Sequence, residues 1–550
     1  MTLPAPDAAL GATRSAATPR AILAIAGAVA LALLAPHVDF VPIWDGWAYA
    51  ECAVDVAANR FALYFLRCYG HPAYAYSGLL GAAQLLDLGN PALLLAVNAL
   101  ILAATTVGFH RLMRRAFPGA DHHTDIALVT AAFVLQPAFL ASVVQPSLDL
   151  SVLAGTVWCT ALLVERRWFW CAAAGTAMSF SKETGVLLYG VVLACYASWS
   201  FIRAPGTLAT RMRALLPLAP TVAPFVLYGG YVLAFLIFRP GQSPVWAAGR
   251  GIPLGVRLIT TRFDAGLASY LALLFVLDFA WLPSAWIVAS AATGLSRRVR
   301  RRPARPIAGE DRAVTGFLVL AAAMTLIALT RVVTYSNVRY LIAGTALWLG
   351  VSYIALARLR LGPVIRRLVL GGYAALVATS AIRTVDPVSR SLWGTFPFGS
   401  HRMLDMTSIT GECCGAGRDQ LAYSLEFTKL HDLTDSVLTT LMRDTATAIV
   451  LPSQMRYHTI GRVDRATWRR TLRRDGAFDP LVMTGPMVLI RNPPPPSIIY
   501  IAVPNGKDST SLAELSSRYD VGPERRFASG GYALSAYVMT ARVSAPARTP

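Results

Sequence analysis

A few short stretches carry residues that could do chemistry, and each borders or interrupts an apolar run. WDGWAYAE (44–51) sets Asp45 between two tryptophans, and the segment after it brings Arg67, His71 and Pro72. QPSLD (145–149) ends on Asp149. FSKETGVLL (180–188) places Lys182 beside Glu183 in apolar surroundings, and TYSNVRYLIAG (334–344) holds Arg339 and Tyr340. A carboxylate can take the proton of an attacking hydroxyl. Cations in a dry setting can stabilise a departing phosphate. The set suits transfer of a group from a phosphate to an acceptor hydroxyl, a reaction that needs no general acid because phosphate leaves readily.

Each residue also has a purely architectural use. Asp45 could be the polar end of an anchored helix, and Asp149 a helix cap. Lys182 and Glu183 could pair with each other, although ionisable residues inside a membrane are costly and functional by default. Arg339 could snorkel to the headgroups. Asp55 and Arg60 fit the solvated face of an interfacial amphipathic helix within 44–72. Asp45 and His71 stand apart, each at a break beside Gly or Pro.

The elements that must hold these residues are membrane helices. Of the 550 residues 55% are hydrophobic and only 15% charged, well below the roughly 25% charged of soluble domains. Apolar runs close to the thickness of a bilayer recur from residue 21 to 384. The net charge of +20 comes from arginine clusters between those runs. That is where the positive-inside rule puts them, so nucleic acid is not the expected partner. The clusters all fall inside if 72–88 lies along the outer interface and the chain crosses about eleven times, with twelve or thirteen as alternatives. Residues 39–90, 239–263, 334–337 and everything after about 385 are then outside.

The run at 21–37 reads as an uncleaved first span behind a short cytoplasmic tail, 1–20. Cys159, Cys171 and Cys195 read as packing residues, and Cys52 and Cys68 share a loop in which a disulfide can form if it is exported. From 385 to 550 the composition turns polar. AIVLPS (448–453), PMVLIR (486–491), IIYIAVP (498–504) and YALSAYVM (532–539) read as strands. The stretches 419–444 and SLAELSSRY (511–519) read as helices. The expected architecture is a polytopic all-α membrane protein of about 11–13 spans with a C-terminal extracytoplasmic α/β domain. The membrane module is 21–384.

In their order, WDGW, HP, QPSLD, SKETG and NVRY resemble the landmarks of GT-C glycosyltransferases. The likeness is to the branch that holds protein O-mannosyltransferases and the lipid A aminoarabinose transferase, and it covers roughly residues 20 to 345. The resemblance implies a polyprenyl-phosphate sugar donor and inverting transfer at the outer face to a cell-envelope acceptor (glycan, lipid or exported protein). It makes Asp45 the essential carboxylate of the first outer loop, with His71-Pro72 at the position of the loop-end HP or KP pair. Asp149, Lys182 and Arg339-Tyr340 match later landmarks, and Glu183 and Arg67 complete the expected substrate contacts. Gly46 departs from the usual Asp-Glu pair, and HPAY from the frequent HPPL. The sequence establishes no cofactor, and a divalent metal stays open. Abundant Ala and Arg with few Lys point to a bacterial inner membrane. The rival expectation is a transporter or flippase for a lipid-linked or anionic substrate, against which stands the lack of two-half symmetry.

Overall fold

The computed structural model describes residues 6–38, 40, 42, 45–61, 72–238, 280–300, 307–332, 338–382, 387–393, 397–398, 401–402, 421, 433, 436–437, 440, 448–451, 481–484, 493–502, 512–529 and 532–542, some of them, Asp45 included, by backbone alone. His71, Arg67 and the strand expected at 486–491 lie outside the described residues.

The bundle is built from α1 (Pro6–Leu34), α2 (Asp45–Ala58), α3 (Tyr74–Gln84), α4 (Pro91–Ala116), α5 (His123–Val134), α6 (Pro137–Val144), α7 (Leu148–Val164), α8 (Trp168–Ser179) and α9 (Glu183–Arg203). It continues through α10 (Leu208–Arg213), α11 (Ala223–Phe238), α12 (Trp281–Val299), α13 (Arg312–Val332), α14 (Ile342–Arg358), α15 (Pro363–Ser380) and α16 (Pro387–Trp393). Among the described residues six helices are long and apolar enough to cross a membrane, and α5–α6 makes a seventh if its 48° bend lies within one span. The chain is a multi-pass membrane protein. Eleven crossings would also require α7, α8, α12 and α15, which pack in the same bundle. The bend follows from Pro137, which opens α6 and cannot donate the hydrogen bond that would continue α5. The first candidate span, Thr18–His37, continues α1, which begins at Pro6 within the expected tail 1–20.

Contacts between helices fix their directions. Ala104 and Arg111 of α4 meet Trp158 of α7 and Glu165 at its end, so α4 and α7 run parallel. Thr156 meets Met178 and Cys159 meets Cys171, so α8 returns antiparallel to α7. Trp199 of α9 donates to Ala313 O, and Asp311 N donates to Ala116 O, which puts the end of α9, the start of α13 and the end of α4 together. Asp125 holds Arg366, and Gln136 donates to the Tyr373 hydroxyl, which aligns α15 with α5. The bundle therefore has two ends. One carries the basic last turns of α4, α9, α10, α12 and α14. The other carries Asp149, Lys182 and the turn Val338–Leu341. The core between them is closely packed around Phe109, Phe133, Phe139, Phe317 and Tyr353, with Phe109 stacked on Phe133 at 4.3 Å.

The α3 helix has 11 residues, which at 1.5 Å per residue spans about 16 Å, half a bilayer. It packs against α2 and the first half of α4 at the Lys182 end. Segment 72–88 thus holds a helix shorter than any of the candidate spans.

Beyond α15 come the hairpin β1 (Pro397–Phe398) and β2 (His401–Arg402), then β3 (Ala448–Leu451), β4 (Leu481–Thr484), β5 (Ser497–Ala502), α17 (Leu512–Ser516), β6 (Tyr519–Val521), β7 (Arg525–Ser529) and β8 (Tyr532–Ala541). One sheet runs β4-β3-β5-β8-β6, with β7 also on β8. Its first three strands are parallel, and β8 lies antiparallel to β5, β6 and β7. Three expected strands and the expected short helix are present. Residues 421, 433, 436–437 and 440 are helical within the expected stretch 419–444. β1, β2, β4, β6 and β7 were not expected.

Candidate active site

Lys182 is the last residue before α9 and Asp149 lies in the first turn of α7. The Lys182 ammonium donates to Asp149 Oδ1 at 2.8 Å, with both side chains 9% exposed. The cap of α7 is Ser147, whose Oγ accepts from Asp149 N at 3.2 Å. Asp149 is therefore freed from capping, and its carboxylate is turned to Lys182. The pairing expected as the structural alternative, Lys182 with Glu183, is displaced by one with Asp149. Two acids flank one base: Glu183 opens α9 and is 6% exposed.

The Lys182 ammonium also lies 4.4 Å from the ring centroid of Tyr340. Arg339 donates to the Tyr340 hydroxyl at 3.2 Å, and its guanidinium carbon lies 5.1 Å from the same ring. An aromatic face attracts cations, so Tyr340 holds two of them close together. Arg339 and Tyr340 sit on the turn Val338–Leu341, which enters α14 at the Lys182 end. Snorkelling alone would leave Arg339 without this partner.

The main chain of Asp45 opens α2 at the same end. A Cβ on Gly46 would stand 3.0 Å from Gln145 Oε1 and 3.3 Å from the Pro146 carbonyl oxygen. The start of α2 thus abuts the loop that leads into Asp149. That close approach explains Gly46, where a side chain as large as the expected glutamate would not fit without moving the loop. The Asp45 side chain, like His71 and Arg67, lies outside what the structure describes, so no distance relates it to Lys182.

Two residues not singled out in the sequence hold these pieces together. Tyr76 Oη donates to Asn98 Oδ1 at 2.8 Å and accepts from Ser147 N at 3.0 Å, and Asn98 Nδ2 donates to Val143 O at 3.0 Å. Tyr76 and Asn98 are fully buried. Asn98 was visible as an amide in the midst of the apolar run 91–109.

At the opposite end, Asp125 is fully buried and binds Arg366, with Arg367 Nε at 3.3 Å. His122 Nδ1 lies 2.7 Å from Tyr353 Oη, and its Nε2 lies 3.0 Å from Ala308 O. This network closes the bundle and shares no residue with the Lys182 site. Among the described residues no three His, Cys, Asp or Glu side chains group as metal ligands. No ligand set is assigned to the divalent metal left open by the sequence.

No protein-family profile and no curated protein sequence matches the chain. Solved structures do. ArnT from Cupriavidus metallidurans, bound to undecaprenyl phosphate, matches over 93% of this chain and 97% of its own, at 16% identity and a TM-score of 0.54. The archaeal oligosaccharyltransferase AglB from Archaeoglobus fulgidus, in complex with an inhibitory peptide and a dolichol-phosphate, matches over 88% of this chain and 69% of its own, at 11% identity and a TM-score of 0.47. The likeness to ArnT runs through both the helical bundle and the C-terminal sheet domain. The chain has the GT-C fold.

Proposed function

We propose that this protein is an inverting membrane glycosyltransferase that moves a sugar from a polyprenyl-phosphate donor to a hydroxyl of a cell-envelope acceptor. The observation that carries the reading is the buried Lys182 ammonium, held between Asp149 and Tyr340 where α7 follows the loop that the start of α2 abuts. An ammonium has three N–H donors. Asp149 takes one, and Tyr340 steadies the charge through its ring, which leaves donor capacity for a phosphate oxygen. Arg339 adds a second cation, and α9, which starts beside Lys182, turns the positive end of its dipole the same way. The likeness to ArnT, a structure with undecaprenyl phosphate bound, supports the same donor chemistry.

In the mechanism the acceptor oxygen attacks the anomeric carbon as the bond from that carbon to the phosphate oxygen breaks. The electron pair leaves with the lipid phosphate, whose charge Lys182 and Arg339 stabilise. The acceptor's proton passes to Asp45 as general base. Attack opposite the departing phosphate inverts the anomeric centre. Glu183, Tyr340, Arg67 and His71 are assigned to substrate contact.

We further propose that the Lys182 end and the C-terminal domain face the periplasmic side of a bacterial inner membrane. The basic helix ends then lie inside, as the positive-inside rule requires. Cys52 of α2 is disulfide-bonded, which fits an oxidising compartment. The test is purified protein in detergent, given a short polyprenyl-phosphate sugar with no ion gradient. The reading expects lipid phosphate to accumulate as sugar is transferred or hydrolysed. A protein that only moves the intact lipid between leaflets of vesicles, with no bond broken, overturns it.

A further inference from the structure

We infer that Tyr76 is the positioning residue that sets Asp45 and the Asp149–Lys182 pair in register, through a buried hydroxyl clamp on the loop they share. The inference rests on the transfer reading above and names how its site is held.

The α3 helix is too short to reach the bilayer's far side, yet it touches the supports of both Asp149 and Lys182. At its first turn Ala75 N donates to Phe180 O at 2.9 Å. A helix start has unpaired N–H groups and a helix end unpaired carbonyls. This bond satisfies one of each and ties α3 to the junction that carries Lys182. One residue on, the Tyr76 hydroxyl uses both of its capacities, donating to Asn98 and accepting from Ser147 N. Ser147 is the cap that orients Asp149. The residue before it, Pro146, presents its carbonyl to Gly46 beside Asp45.

Every member of this chain is deeply buried: Tyr76 and Asn98 0% exposed, Ser147 3%. Water cannot substitute for a lost partner, so the loop 145–147 has one stable position while the hydroxyl is present. Removing that oxygen leaves a buried amide N–H and a buried amide oxygen unsatisfied, and the loop must move to find new partners. Asp45 and Asp149 both border that loop. Lys182 keeps its own brace through Ala75.

The test is Tyr76→Phe, which preserves the ring, with Thr105→Val as control. Thr105 is an equally buried α4 hydroxyl that bonds only its own helix, at Ile101 O. Amide hydrogen exchange of wild-type and variant protein should show faster exchange across 144–150 in Tyr76→Phe and none in Thr105→Val. Turnover of a polyprenyl-phosphate sugar per folded molecule should fall about 10²-fold, because misplacement of about an ångström costs that much. Binding of undecaprenyl phosphate should stay within about threefold, since the junction carrying Lys182 keeps its Ala75 bond and the ammonium its place over Tyr340. Unchanged exchange across 144–150, or turnover per folded molecule close to wild type, overturns the inference. A loosened loop in a protein whose wild type never turns over the donor overturns the transfer reading instead, and leaves the clamp standing.

Discussion

The Lys182 ammonium and the Asp149 carboxylate meet at 2.8 Å although 33 positions separate them in the chain. The pair is buried, so removing one partner strands a charge in a medium that solvates it poorly. Lys182→Met should cost about 3–5 kcal/mol of stability and weaken undecaprenyl phosphate binding about 10²-fold. Lys182→Met with Asp149→Leu should recover stability, because the stranded charge is gone, while binding stays weak. Thermal unfolding and lipid binding on the same preparations separate the two effects. Recovery of both would make the pair purely structural.

The α8–α9 junction that carries Lys182 depends on Gly185. A Cβ there would collide with the Met178 carbonyl, a backbone atom that cannot swing aside. Gly185→Ala should destabilise by roughly 1–3 kcal/mol, the usual cost of overpacking. It should also weaken phosphate binding by shifting Lys182. Denaturation paired with lipid titration reads both, and a variant as stable and as tight as wild type would contradict the placement.

Asp125 provides the contrast. Its carboxylate neutralises Arg366 at the basic end, far from any assigned substrate contact. Asp125→Asn should lose about 3–5 kcal/mol of stability but leave donor turnover per folded molecule unchanged. Specific activity corrected for the folded fraction checks this.

The orientation of the bundle is open to labelling. Ile382 follows α15 at the Lys182 end and is 62% exposed, and Val299 ends α12 at the basic end and is 74% exposed. A membrane-impermeant thiol reagent should label Ile382→Cys from the periplasmic side and Val299→Cys only after the inner membrane is opened. The reverse pattern would invert the proposed topology.

The candidate residues were readable in the sequence because polar residues stand out in apolar runs. Lys182, Asp149 and Tyr340 come together as their order along the chain implied. Their pairing was not readable. Whether Lys182 turns to its neighbour Glu183 or to Asp149 depends on how α7 packs against α8 and α9, and on Ser147 taking the cap. Gly46 looked like a departure from the family pattern until Pro146 was seen beside it. Tyr76 sits among tyrosines that suit an interface, so its burial could not be inferred from neighbours. In the C-terminal domain the apolar strands β5 and β8 were legible. The β7 strand was not, because it lies on an edge and most of its residues are exposed, which removes the apolar signal.

The central claim is that Asp45 takes the acceptor's proton in transfer from a lipid phosphate. A helix start tolerates Asn as well as Asp, whereas a general base does not. Asp45→Asn should fold and bind undecaprenyl phosphate like wild type. Its transfer of sugar, measured as product per mole of purified protein, should fall about 10² to 10⁴-fold. Transfer within a few-fold of wild type would contradict the account and return Asp45 to the role of a helix end.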